Sequence, residues 1–140
     1  MNRTGIYLID SSIWILSYRR QPPESIARRV ETLVRGKLAA RNPVVEMELL
    51  VGCRTRDEFD LVRSNLSGVR ELEVLRPTWD LATELGYSLR RNGITTSVPD
   101  LLIAASAVEH GAVLVHADDD FDMIAKHSDL RVESYAETFT

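Results

Sequence analysis

Ile6-Tyr7-Leu8-Ile9-Asp10-Ser11-Ser12 is the stretch that decides the fold. Its apolar run reads as a buried strand. An acid ends the run, and two hydroxyl residues lead into Ile13-Trp14-Ile15-Leu16, the start of a helix that Ser11 or Ser12 is placed to cap. A buried strand handed straight to a helix is the building unit of an α/β sheet. The same pattern returns at Ala112-Val113-Leu114-Val115, an apolar run that leads into Asp118-Asp119-Asp120-Phe121. Neither run has the polar alternation of a half-exposed strand, so both belong inside a mainly parallel sheet. Ligands bind such sheets beyond the carboxyl ends of the strands. Asp10 and Asp118 fall there.

Helices and weaker strands fill the chain between these runs. Pro22-Pro23 breaks it, and residues 24–38 carry apolar side chains at 26, 27, 30, 33, 34 and 38, a helical period. Asn42-Pro43 separates that helix from a further helical stretch at 46–53, and a charged amphipathic helix follows over 56–66. After the turn at Ser67-Gly68, residues 72–74 alternate with charge and predict a strand with one exposed face. Pro77 opens a helix that runs to about Arg91 and stops at Asn92-Gly93. Ser97-Val98-Pro99-Asp100 opens another, and its body at 101–110 is so apolar that it must be buried on most sides. Gly111 stops it. A helix starting near Asp120, with Phe121 packed beneath, and a last short strand at 130–132 complete an α/β architecture with a mainly parallel central sheet.

At 140 residues the chain is expected to be one domain, 1–140, and a 44% hydrophobic fraction supplies a real core. The single cysteine, Cys53, excludes an intramolecular disulfide and a cysteine-based zinc site, which fits a reducing cytoplasm. The apolar run in the opening is too short for a signal peptide or a membrane span. Residues 1–70 hold 12 Lys+Arg against 8 Asp+Glu, and residues 71–140 hold 5 against 13. The basic half suits phosphate and the acidic half suits a cation. Equally, both describe a solvated helix surface.

Asp10, Glu48, Asp100 and Asp118 each sit at or beside an apolar segment. Turn and helix-cap roles account for any one of them alone. Together they are costly, because like charges repel and burial penalises them. A divalent cation turns that cost into a site, since carboxylate oxygens suit Mg²⁺ or Mn²⁺. Glu46 and Glu48 lie two residues apart on one helix, so only one of them faces any given site. His110 and His127 read as surface residues; His116, just before the acidic loop, reads either as a residue that orients a ligand or as a strand-end histidine with its bonds satisfied. Trp14 and Trp79 read as core or interface residues. No glycine-rich phosphate loop, zinc-ligand spacing or serine nucleophile elbow is present.

Taken in order, these positions resemble the PIN domain, and in particular the VapC-type toxins of bacterial toxin–antitoxin pairs. Tyr7-Leu8-Ile9-Asp10-Ser11-Ser12 is similar to the family's first-strand motif, and Glu48-Leu49-Leu50-Val51-Gly52 to its Glu-Leu-x-x-Gly helix, which selects Glu48 over Glu46. Pro99-Asp100-Leu101-Leu102-Ile103-Ala104-Ala105 is similar to the third motif, and Asp118-Asp119-Asp120-Phe121 to the fourth. The match spans nearly the whole chain. It departs at His116, where the family often carries a hydroxyl residue; Ser12 is placed to supply a hydroxyl instead.

The resemblance implies a PIN-like three-layer sandwich, its central sheet flanked by helices. It also implies a cytoplasmic Mg²⁺- or Mn²⁺-dependent endoribonuclease with Asp10, Glu48, Asp100 and Asp118 as catalytic and metal-holding residues. Ser12 and Asp120 are accessory candidates. A homodimer, an RNA substrate and a cognate VapB-type antitoxin come with the resemblance, not with the composition. Water would attack the scissile phosphorus in line and leave a 5′-phosphate and a 3′-hydroxyl. Two alternatives stay open at this point: a PIN-like nuclease acting in RNA processing or on DNA without an antitoxin, and a catalytically silent binding module. A phosphoacceptor receiver domain would need a lysine where the late strand leads to His116. A haloacid-dehalogenase-type phosphatase would need a second acid where Ser12 stands.

Overall fold

The structure, a computed structural model, describes residues 5–139, the side chains of 138 and 139 excepted. Residues 1–4, part of the opening read as too short for a leader, lie outside the described residues. The chain runs β1 (Tyr7–Ile9), α1 (Ser11–Ser17), α2 (Glu24–Arg35), β2 (Ala39–Arg41), α3 (Pro43–Val51), α4 (Arg56–Ser67), β3 (Arg70–Glu71), α5 (Arg76–Arg91), α6 (Val98–Glu109), β4 (Val113–His116), α7 (Asp119–Lys126), β5 (Arg131–Ser134) and α8 (Ala136–Phe139).

The strands form a five-stranded sheet in the order β3-β2-β1-β4-β5, with every pair parallel. The two apolar runs, β1 and β4, are neighbours in register Tyr7↔Val113, Leu8↔Leu114 and Ile9↔Val115. Leu8, Ile9, Leu114 and Val115 are buried at the centre of the core, joined by Ile103, Ala104 and Ala107 of α6 and Ile13, Trp14 and Leu16 of α1. From β1 the strand order steps one way to β2 and β3 and the other way to β4 and β5. The reversal falls between β1 and β4, and a crevice opens at the carboxyl ends there.

The elements depart from the sequence-based expectation at α2, β2 and β3, and α8 was not foreseen. The helix predicted over 24–38 ends at Arg35, and after the turn at 36–38 the chain forms β2. Ala39-Ala40-Arg41 carries no strand signature of its own; pairing with Tyr7 and Leu8 makes it a strand. The strand predicted at 72–74 sits two residues earlier, at Arg70–Glu71, because β2 offers partners there, and the Leu72 amide still bonds to the Arg41 carbonyl at 2.8 Å.

Three helices end in the same six-residue loop-back, with the amides of Leu38, Ile94 and Ala112 bonding to the carbonyls of Leu33, Leu89 and Ala107. The turn needs one residue in the left-handed region. Gly93 and Gly111 supply it in two cases, but Lys37, at φ 58°, supplies it in the third. A side chain there costs about 1 kcal/mol. Lys37→Gly is therefore expected to raise stability by up to roughly 1 kcal/mol, read as a higher urea midpoint at unchanged slope. An unchanged or lower midpoint would show that the lysine costs nothing there.

Candidate active site

Each acid reaches the crevice through a different local device. Asp10 follows β1 directly and is the N-cap of α1: its Oδ2 accepts from the Ser12 amide at 3.0 Å and the Ser12 hydroxyl at 2.5 Å. Asp10, not Ser11 or Ser12, is thus the capping residue, and both serines are freed for other bonds. Ser12 Oγ also accepts the Ala117 amide at 3.0 Å, which ties the end of β1 to the loop after β4. Ser11 Oγ donates to Glu48 Oε1 at 2.9 Å and holds that glutamate on the crevice side of α3. Asp100 sits in the first turn of α6, whose N-cap Ser97 accepts the Asp100 amide at 3.3 Å. Asp118 is the N-cap of α7, and its Oδ1 accepts the Asp120 amide at 2.9 Å.

Glu46 points elsewhere. Its carboxylate pairs with Arg41 at 2.5 Å, and the same guanidinium bonds to Glu71 at 3.0 Å and, through Nε, to the Val69 carbonyl. That network staples α3 to the β2–β3 edge of the sheet. The two-residue spacing on the helix separates the glutamates as expected.

Electrostatics report how close the acids are. Asp10 is 3% exposed. Burial, helped by the Glu48 charge and opposed by the Ser12 hydrogen bonds, pushes its carboxyl up to about 6. Asp100 is likewise pushed up to about 6, first by burial and then by the charges of Asp118, Asp10 and Asp120. Glu48 is raised by burial, against its bond from Ser11, with Asp100 and Asp118 adding to the shift. Each raised group feels the charge of at least one other acid of the set. Among the described residues, Asp100, Asp118 and Asp120 each offer an oxygen within 4.8 Å of the others, a spacing that suits a divalent cation. This crowded set of carboxylate oxygens fits such an ion chemically.

His116 was legible as a strand-end histidine or as a residue that orients a ligand. It is the last residue of β4 and has no exposed surface. Its Nδ1 accepts the Asp118 amide at 3.1 Å, and its Nε2 lies 3.1 Å from Asp122 Oδ1, off the direction of a straight hydrogen bond. Its ring rests against Phe121, with centroids 5.3 Å apart. Nothing in the sequence beyond its place before the acidic run marked these partners. Trp14 is core, whereas Trp79 is 46% exposed on α5. His110 and His127 each bond to a carbonyl of the preceding helical turn.

The family model for the PIN domain matches residues 7–127. Ribonuclease VapC11 from Mycobacterium tuberculosis is 34% identical over 135 residues, covering 91% of this chain and 98% of that protein. Ribonuclease VapC21 from the same organism is 34% identical over 125 residues, covering 87% of this chain and 88% of the other. Among solved structures, VapBC2 from Rickettsia felis bound to a DNA fragment from their promoter superposes with a TM-score of 0.79 at 22% identity, over 93% of this chain and 98% of that one. FitAcB from Neisseria gonorrhoeae does so with a TM-score of 0.75 at 18% identity, over 91% and 96%. The crevice between β1 and β4 is the common ground of motif and fold, and the chain belongs to the PIN-domain family and, within it, to the VapC ribonucleases.

Proposed function

We propose that this chain is a Mg²⁺- or Mn²⁺-dependent endoribonuclease that acts in the cytoplasm as the toxin of a toxin–antitoxin pair. Its working unit is one PIN domain over residues 1–140, paired as a homodimer. The observation that carries the reading is the convergence of Asp10, Glu48, Asp100 and Asp118 on the crevice between β1 and β4, with three of their ionisations interdependent. Asp10, Asp100 and Asp118 would hold the ion, Glu48 would act directly or through water, and Asp120 and Ser12 would assist. A bound divalent cation supplies acidity to water and stabilises charge on the phosphoryl oxygens. The chain's own part is positional. Ser12 locks the Asp10 carboxylate and the loop before Asp118 together, and Ser11 turns Glu48 inward. Among the described residues no helix is long and apolar enough to cross a membrane.

A groove of about 460 Å³ runs from Glu48 between α1, α3 and α4, lined by Ile15, Tyr18, Leu49 and Leu61 with Arg19 on its wall. Ile15 is 54% and Leu61 62% exposed. Exposed apolar surface that borders an acidic site supports docking of a VapB-type antitoxin segment, apolar along its length and basic where it meets the acids. The antitoxin-bound structures that share the fold support the same assignment.

The test is induced expression without a partner, with the 5′ ends of cellular RNA mapped. Growth should stop, new 5′-phosphate ends should appear, and Asp10→Ala should abolish both. In vitro, Mn²⁺ should raise the melting temperature, and the Asp10→Asn/Asp100→Asn pair should lose that response. Equal arrest by wild type and Asp10→Ala would refute the reading.

A further inference from the structure

Outside the carboxylates themselves, the least expected group near the crevice is His116. It is wholly buried and titratable, with Nδ1 bonded to the acidic loop and Nε2 facing Asp122 Oδ1 at 3.1 Å without an aligned hydrogen bond. Its Nδ1 accepts the amide of the residue two places on, Asp118. That is the geometry by which an Asn or Asp side chain closes a turn on its own backbone. An acceptor at Nδ1 requires the ring proton on Nε2, the nitrogen that faces Asp122 Oδ1 at 3.1 Å. Asp122 is held from behind, its Oδ2 accepting the Ser134 hydroxyl at 2.9 Å, and the Tyr135 amide bonds to the His116 carbonyl at 2.8 Å. β5 thus anchors Asp122 beside the ring, and the Nδ1 of the imidazole holds the backbone amide of Asp118.

We propose that His116, as its neutral Nε2–H tautomer, is a positioning residue that fixes the Asp118 loop for cation binding by acting as the acceptor of an Asx-type turn. It touches neither substrate nor ion. It acts through the Asp118 amide, which sets where the Asp118 carboxylate enters the crevice and, through the cap on the Asp120 amide, how α7 begins. The proposal rests on the metal-dependent reading of the crevice above.

The geometry separates substitutions by chemistry rather than by size. His116→Asn restores an oxygen acceptor two residues before the Asp118 amide and remakes the turn. His116→Phe keeps a ring against Phe121 but offers no acceptor. His116→Gln places its amide too far along the side chain to close the same turn. Mn²⁺ affinity, read by electron paramagnetic resonance on the purified chain, is expected to stay within about threefold of wild type for His116→Asn. It should fall on the order of tenfold or more for His116→Phe and His116→Gln, the range seen when groups supporting a metal ligand are removed. Near-ultraviolet circular dichroism checks that each variant is folded. The ¹H–¹⁵N spectrum of wild-type, metal-free protein should show His116 protonated at Nε2 and bare at Nδ1, a signature independent of any variant's folding.

An Nδ1–H tautomer, or equal Mn²⁺ affinity of His116→Phe and wild type, overturns the proposal. So does a tenfold loss in His116→Asn. Wild type that binds no Mn²⁺ overturns the nuclease reading and the proposal with it, so the two failures are told apart by the wild-type titration alone.

Discussion

Asp10→Asn is expected to destroy RNA cleavage and, in the same molecule, to stabilise the metal-free protein. The first effect follows from donor chemistry. An amide oxygen is a far weaker partner for a hard cation than a carboxylate, and losing several kcal/mol of transition-state stabilisation slows the reaction by at least about a thousandfold. The second follows from the carboxyl's own burial. Its ionisation lies at about 6 in the folded chain against the ordinary 3.8. The folded state therefore holds a proton that the unfolded chain has already lost between those values. Stability of the metal-free protein is greatest at the acid end of that window, falls as pH rises through it, and stays low above it. The difference amounts to roughly 3 kcal/mol for a shift of this size. Asn carries no charge to bury and still offers an oxygen to Ser12. In chelator at pH 8 the variant should be the more stable by about that amount, and near pH 4 the two should converge. Urea unfolding at both pH values checks this. A variant less stable than wild type at pH 8 would mean that Asp10 is favourably placed even without an ion.

Glu48→Gln and Glu46→Gln are expected to fail in opposite ways. Glu48 is held by Ser11 and shares the crevice with Asp100 and Asp118. Its neutralisation should lower the cleavage rate by about a hundredfold or more, given what such electrostatic groups contribute, while leaving the fold intact. Glu46 is half of an ion pair with Arg41 whose side chains are only 22% and 13% exposed. Removing its charge leaves Arg41 to Glu71 and the Val69 carbonyl, and should cost about 1 kcal/mol of stability with cleavage within about twofold of wild type. Steady-state cleavage of one RNA oligonucleotide and one denaturant curve per variant decide it. Loss of activity in Glu46→Gln would mean that the Arg41 network, not Glu48, governs the crevice.

The reading of Glu48 shows how far residue pattern reaches. Strand-end acids, helix starts and the parallel sheet were legible because each rests on local signals: apolar runs, proline breaks and capping residues. β2 was not, since Ala39-Ala40-Arg41 becomes a strand only when β1 lies beside it. The cap of α1 was assigned to serine because serine is a strong capper. In the folded chain the acid takes the cap, and both hydroxyls find partners far along the sequence, the Glu48 carboxylate for Ser11 and the backbone amide of Ala117 for Ser12. The role of His116 was hidden for the same reason: its partner Asp122 is turned toward it by α7 and held there by β5. The crevice acids were visible one at a time, and the bonds that aim them form only in three dimensions.

Asp10 and Asp118 cap helices α1 and α7, and Asp100 stands in the first turn of α6. Three helices thus present their amide ends to one point, and each end carries about half a positive charge. The protein supplies its own partial cation to a cluster that would otherwise fly apart. Assembly of the crevice is therefore not coupled to ion capture, unlike small metal domains that collapse only around their ion. The chain is expected to fold in chelator and to load afterwards, so that withholding the ion silences the nuclease and returning it restores activity at once, with no refolding step between.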